Sequence, residues 1–259
     1  MEITDTGTGT GECFYLGCNN DGCQFHDGLV EYNYCHGTLS ATAGHGDAVD
    51  LKSGSYSNII RHNIFVDLRG PGILVYDSKG RGNNIIDGNF ILRSGDNGIQ
   101  ATNGAIIRNN IVVDSNGGIA GAANQGTPGN LNVRHNTVVN SGANGCFRGN
   151  SFNLGSAFTV ANNAFYCEGQ TAVIVLSGSE NVEWSNNAYR GTINTNTNIN
   201  SGIFLAGTLE DDFVNSQNHN YYPTKSRYVG YKLRMQICYA FGYTVSLSLS
   251  LCVCVCVCV

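Results

Sequence analysis

An apolar-x-x-Asn-x-apolar pattern recurs seven times along the chain, at Val30/Asn33/Cys35, Ile60/Asn63/Phe65, Ile86/Asn89/Ile91, Ile107/Asn110/Val112, Val133/Asn136/Val138, Val160/Asn163/Phe165 and Trp184/Asn187/Tyr189. Successive Asn residues of the pattern stand 30, 26, 21, 26, 27 and 24 residues apart. Eight or nine residues after most of them comes a Gly followed by alternating apolar positions, as in Gly72-Ile73-Leu74-Val75, Gly98-Ile99, Gly118-Ile119 and Gly145-Cys146. Ala172-Val173-Ile174-Val175 keeps the register with Ala in place of Gly, and Gly202-Ile203-Phe204-Leu205 follows later. The runs Glu12 to Leu16 and Asp47 to Lys52 fill the same slot in the first two repeats. Alternation with a period of two is the mark of a strand, and Asn and Gly tolerate the left-handed angles of bends. Each repeat therefore predicts short strands separated by tight bends, with the variable spacing confined to loops.

A period of about 25 residues with strand alternation, a fixed Asn and no helical periodicity describes a parallel β-helix, its coils stacked at roughly 4.8 Å. The expected fold is all-β, a solenoid of about seven coils in which the repeated Asn residues take a bend conformation and bond the amides above and below as an Asn ladder. Leucine-rich repeats share the period but need a Leu-rich consensus that is absent here. Two residues before the first five Asn, the outward position reads Glu31, Arg61, Asp87, Arg108 and Arg134. Charges of mixed sign one coil apart suit a solvated row of ion pairs rather than catalytic arginines.

Composition narrows the function classes. The chain holds 34 Gly and 33 Asn among 259 residues, with 13% charged side chains where a typical domain has about 25%. Long helices are excluded by that mixture, and 42% hydrophobic residues exclude disorder. A net charge of -5 without any basic run leaves no electrostatic footprint for nucleic acid.

The two ends differ from the middle. Met1 to Gly11 shows neither a basic nor an apolar region of a signal peptide, and the repeat is running by about Gly11 without a cap, which reads as truncation. No Asn occurs from Tyr221 onward, where Lys225, Arg227, Lys232 and Arg234 gather and the sequence ends SLSLSLCVCVCVCV. Repeated TC encodes Ser-Leu and repeated TG encodes Cys-Val, so this tail reads as a dinucleotide tract translated in frame. The competing reading of Gln236 to Val259 is a membrane anchor, since about 20 apolar residues span a bilayer. The expected organisation is a β-helix over 1–205, an irregular extension over 206–222 and a low-complexity tail over 223–259.

Without the tail, six cysteines remain: Cys13, Cys18, Cys23, Cys35, Cys146 and Cys167. Paired disulfides of a secreted or cell-surface protein are one reading. A zinc site is another, although the spacing C-x4-C-x4-C-x11-C is not of the C-x2-C type. Cys35 also occupies a core column, where a free thiol would serve as a small hydrophobe.

Asp47 to Leu205 resembles the right-handed parallel β-helix superfamily, the pectin-lyase-like fold with its I-x-x-N-x-[IVF] coil repeat, and the likeness covers most of Gly11 to about Leu205. The right hand is implied by that resemblance and by the rule for parallel crossovers. Such a repeat specifies fold far better than function. More locally, Asp47-Ala48-Val49-Asp50-Leu51-Lys52-Ser53 with Asn58-Ile59-Ile60-Arg61-His62-Asn63 and Gly72 to Tyr76 is similar to the alginate lyase and chondroitinase B type of polysaccharide lyase. The resemblance implies an acidic residue at Asp47, a Brønsted base at Lys52 and, one coil later, an Arg where this chain has Tyr76. His45 stands where a second acidic residue would help to hold calcium.

Those departures bear on the chemistry. β-Elimination from a uronic acid needs the substrate carboxylate neutralised, by calcium or Arg, and a base such as a Lys of depressed pKa to remove the adjacent proton. Tyr76 could donate a proton to the leaving oxygen, and Arg69, Lys79 or Arg81 could reach the carboxylate from loops, with Asp50 and Gln100 lining the same face. The plain alternative makes Lys52 and Asp50 a solvated pair, Tyr76 a ring packed on the sheet, Asp47 a turn former and His45 a loop residue. Three functions stay open: a lyase acting on an acidic polysaccharide, a non-catalytic monomeric surface module that binds glycan or is structural, and an inactive truncated product.

Overall fold

The computed structural model describes residues 1–7, 9–139, 142–199, 202–224, 237–239 and 253–255. The chain divides into two compact units, Met1–Phe204 and Leu205–Val259. In the first, 21 strands form one sheet in which the named strand pairs are parallel, an all-β architecture consistent with a β-helix solenoid. Its strands fall into three columns, and each strand pairs with its counterpart one repeat along the sequence.

The first column begins with Phe14–Leu16, Val49–Leu51 and Ile73–Asp77 and continues through Asn97–Arg108 and Gly117–Gly121. The second begins with Leu29–Glu31, Ile59–Arg61 and Asn84–Asp87. The third includes Tyr34–His36, Ile64–Leu68, Phe90–Ser94 and Ile111–Val113. Inward residues stack in register: Val49, Ile73, Ile99, Ile119 and Phe147 make one row, and Cys35, Phe65, Ile91, Val112, Val138, Phe165 and Tyr189 another. All of these are buried in one continuous core.

Seven Asn side chains are joined by six amide bonds of 2.9 to 3.0 Å, from Asn33 through Asn63, Asn89, Asn110, Asn136 and Asn163 to Asn187. From Asn63 onward each Oδ1 also accepts a backbone N–H from the Asn before it, as Asn110 does from Asn89 at 2.9 Å. The bend itself is made one residue earlier than the sequence suggests. Tyr32, His62, Gly88, Asn109, His135, Asn162 and Asn186 take the left-handed angles, with φ between 51° and 65°. The repeated Asn is thus a bonding residue, and its neighbour turns the chain.

The Gly that opens the alternating run is explained by close stacking. A Cβ on Gly98 would lie 2.3 Å from Val112 Cγ1, and one on Gly118 would lie 2.1 Å from the Cys146 carbonyl oxygen. Three disulfides, Cys13–Cys35, Cys18–Cys23 and Cys146–Cys167, take up all six cysteines outside the tail. Zinc binding by these residues and the free thiol at Cys35 are thereby replaced. Disulfides fit an oxidising, extracellular setting.

The second unit contains the helical turn Leu209–Asp212, capped by Thr208, and an antiparallel pair of Phe213–Asn215 with Asn220–Pro223. Ile237–Tyr239 pairs antiparallel with Val253–Val255. Beyond Thr224 the remainder of the tail, including Lys225, Arg227, Lys232 and Arg234, lies outside the described residues. Among the described residues no helix is long and apolar enough to cross a membrane.

Candidate functional site

The outer face of the first column carries the row Tyr15, Asp50, Leu74, Gln100, in register across four repeats. Alternation places these side chains away from the core, and sequence alone makes them solvated. Asp50 and Leu74 of this row, and Lys52 and Tyr76 two residues further along, are instead covered, at 1%, 5%, 4% and 8% exposure. Lys52 lies under two aromatic rings, its Nζ 4.5 Å from the Tyr15 centroid and 4.7 Å from that of Tyr76. The Lys52 Nζ donates to Asp50 Oδ2 at 2.6 Å, so the expected solvated pair is a buried one.

Three carboxylates meet beside this pair. Glu12, Asp47 and Asp50 each offer one oxygen, and the three oxygens lie within 4.8 Å of one another. Glu12 went unmarked as a site residue in the sequence, because it sits two residues before a strand of the first repeat, 35 positions from Asp47. Parallel stacking of Phe14–Leu16 on Val49–Leu51 is what brings it close. His45 joins the cluster from a loop, its Nδ1 3.2 Å from Glu12 Oε1.

The electrostatics are uneven. Burial pushes the Asp47 carboxyl up to about 8, helped by the charges of Asp50 and Glu12. Burial also raises Asp50 to about 6, against the opposing bond from Lys52. Glu12 moves the other way: bonds from Thr10, its own backbone and His45 outweigh its burial and hold it below the usual value. Burial works against the Lys52 ammonium, but the Asp50 carboxylate prevails and lifts it above its ordinary value. The depressed pKa that a Lys base requires is therefore not what these surroundings produce. Tyr76 is raised by burial and by Asp50, so its phenol stays protonated at neutral pH.

Two buried oxygens of the cluster, Asp47 Oδ1 and Asp50 Oδ1, have no hydrogen-bond partner among the described residues. An unpartnered buried carboxylate oxygen calls for a proton or a cation. The donor set is all oxygen, which suits a hard cation such as calcium. Glu12, Asp47 and Asp50 fit that role, with Glu12 in place of the His45 expected from the sequence.

The loop cations divide into paired and unpaired. Arg81 meets Asp21 at 3.0 Å and Lys79 meets Asp77 at 3.3 Å. Lys79 Nζ also donates to the Gln125 carbonyl at 3.2 Å, and Gln125 Nε2 reaches Asn19 Oδ1 at 2.8 Å, tying loops of distant repeats into a wall beside the face. Arg69 is exposed, stands next to Gly46, and has no acidic partner among the described residues. Gln100 accepts from Asn97 Nδ2 at 2.9 Å. The structure thus brings Asp47, Asp50, Lys52, Tyr76 and His45 together and leaves Lys79 and Arg81 neutralised in the loops. No protein-family model, curated protein or solved structure matches the chain.

Proposed function

We propose that this chain is a right-handed parallel β-helix of the pectin-lyase-like type, about seven coils around an Asn ladder, that acts as a non-catalytic secreted module binding acidic polysaccharide. Glu12, Asp47 and Asp50 hold a calcium ion in this reading, and Tyr15 and Arg69 offer the sugar an exposed ring and a free guanidinium. A bound calcium ion neutralises carboxylates, both those of the cluster and those of a uronate.

The state of Lys52 carries the non-catalytic reading. A base for β-elimination must be neutral and must touch the substrate C–H, whereas Lys52 is a sealed ammonium bonded to Asp50 at 2.6 Å and 4% exposed. One observation favours a lyase as the second reading: Lys52 and Tyr76 lie on one patch, 4.7 Å from ammonium to ring centroid, with Asp47 beside Asp50.

A single panel separates the two. The full chain is applied to alginate, pectate and chondroitin sulfate with and without calcium, following retention by affinity electrophoresis and unsaturated product by ultraviolet absorbance. Calcium-dependent retention without product, lost in Asp47→Asn/Asp50→Asn, is expected. Product that disappears in Lys52→Ala would establish the lyase instead. Absence of retention on every glycan would end the carbohydrate reading.

A further inference from the structure

The second column has an outer face of its own, far from the carboxylate cluster in chemistry. Strand register aligns Leu29, Ile59, Ile85 and Ile106 in one outward row, and the row turns polar at Asn132, Thr159 and Glu183. Leu29 is 49% exposed, and the three Ile residues are partly exposed, although nothing in the core needs them there. One row over, two residues along each strand, Glu31, Arg61, Asp87, Arg108 and Arg134 stack in register. Within the chain Arg61 bonds Glu31 at 2.7 Å and Arg108 bonds Asp87 at 2.8 Å.

Both rows share a centre. Reversing the order of the first four repeats sets Leu29 against Ile106 and Ile59 against Ile85. The same reversal sets Glu31 against Arg108 and Arg61 against Asp87, so every charge meets its opposite. A two-fold axis parallel to the strands, passing between the Ile59 and Ile85 strands, performs that reversal while keeping each row facing itself. This is the condition for an isologous interface, in which one patch binds its own copy. Sheets packed face to face stand about 10 Å apart, close enough for aliphatic side chains to interdigitate and for Arg and Glu to bridge at the flank.

We propose that this face is a self-association surface, and that two copies of the chain pack face to face and antiparallel through the Leu29–Ile59–Ile85–Ile106 row. The patch spans four repeats, roughly 15–20 Å, and is narrower than the about 800 Å² per partner of a standard interface, so the dimer is weak and reversible. It replaces the monomer expected from the sequence. Arg134 lies outside the matched set and contributes nothing to it.

Sedimentation velocity on the full chain from about 10 μM to about 1 mM tests the proposal. The native protein shows a sedimentation coefficient that rises with concentration. Ile85→Lys, an outward substitution checked for folding by circular dichroism, lowers the association constant at least about tenfold. Arg61→Glu weakens association too, and Arg61→Glu/Asp87→Arg restores it, because exchanging both signs preserves the match between copies while breaking the bonds within each. Arg134→Glu leaves association unchanged. A native chain that sediments as a monomer throughout, an Ile85→Lys variant that associates like the native chain, or a double variant no better than Arg61→Glu would overturn the assignment.

Discussion

Asp47→Asn should stabilise the calcium-free protein at neutral pH, against the usual direction for a buried substitution. Asp47 is 1% exposed and its carboxyl is raised from 3.8 to about 8. What sets this is its burial first, then the acids Asp50, Glu12 and Asp96, with Lys52 opposing. Between pH 4 and pH 8 the folded chain keeps a proton that the unfolded chain releases. Stability present at low pH is therefore lost as the pH climbs through that window, at about 1.4 kcal/mol per pH unit. At pH 7, some three units above the unfolded value, the loss from Asp47 reaches about 4 kcal/mol, or about 10 °C in melting temperature for a domain of this size. Asn has no such proton to hold, and its amide can donate to the neighbouring carboxylates. The assay is thermal unfolding of both proteins in chelator at about pH 5 and about pH 8, repeated with millimolar calcium chloride. The native chain should lose more stability than the variant across that range and recover it with calcium, which the variant should not. Superimposable pH profiles for the two proteins would show that Asp47 does not hold a proton through this range.

Four further outcomes follow from the packing. Asn110→Ala strands the buried backbone N–H of Asn89 and one of the two N–H groups of its Nδ2, which Asn110 accepts at 2.9 and 3.0 Å while the other keeps the Ile60 carbonyl, and at about 2 kcal/mol per stranded N–H should cost about 4 kcal/mol in urea denaturation. Cys13→Ser/Cys35→Ser opens a loop of 22 residues and should lower stability by about 3 kcal/mol, and dithiothreitol, which opens all three disulfides, should lower that of the native chain further. Gly118→Ala forces a Cβ to within 2.1 Å of the Cys146 carbonyl oxygen and should lower the melting temperature, by an overpacking cost of about 1–3 kcal/mol. Arg93→Ala removes a bidentate pair with Asp67 whose side chains are half exposed, and the melting temperature should move by less than about 1 kcal/mol is worth.

The strand columns were legible because stacking makes the same demand at every repeat. An inward position must be apolar and the bonding position must be Asn, so a period written seven times identifies both. The bend was misassigned by one residue for a physical reason as well. At most repeats the residue before the Asn is His, Gly or Asn, types that take a left-handed angle as readily as the repeated Asn itself, so local preference does not tell the two positions apart, and Tyr32 takes the angle against its residue type. Disulfide pairing was open in sequence, since Cys13 and Cys35 become neighbours only once the first repeat closes on itself.

The site was half legible for a different reason. Alternation tells which side of a strand a residue occupies, but it says nothing of what lies over that side. Asp50, Lys52 and Tyr76 are outward and yet covered, because Tyr15 from the preceding repeat caps the ammonium that Tyr76 flanks from the following one. Covering turns a cheap surface pair into a costly one, since desolvating two ions offsets much of their attraction. The imbalance is sharper still: Lys52 answers one carboxylate and His45 touches another, which leaves Asp47 with no cation of its own among the described residues. A chain with so few charges that keeps three acids around one buried ammonium is less stable without a cation than one with apolar residues in those places. Asp47 meets that imbalance by keeping a proton to about pH 8, and in the calcium reading the ion takes the place of that proton.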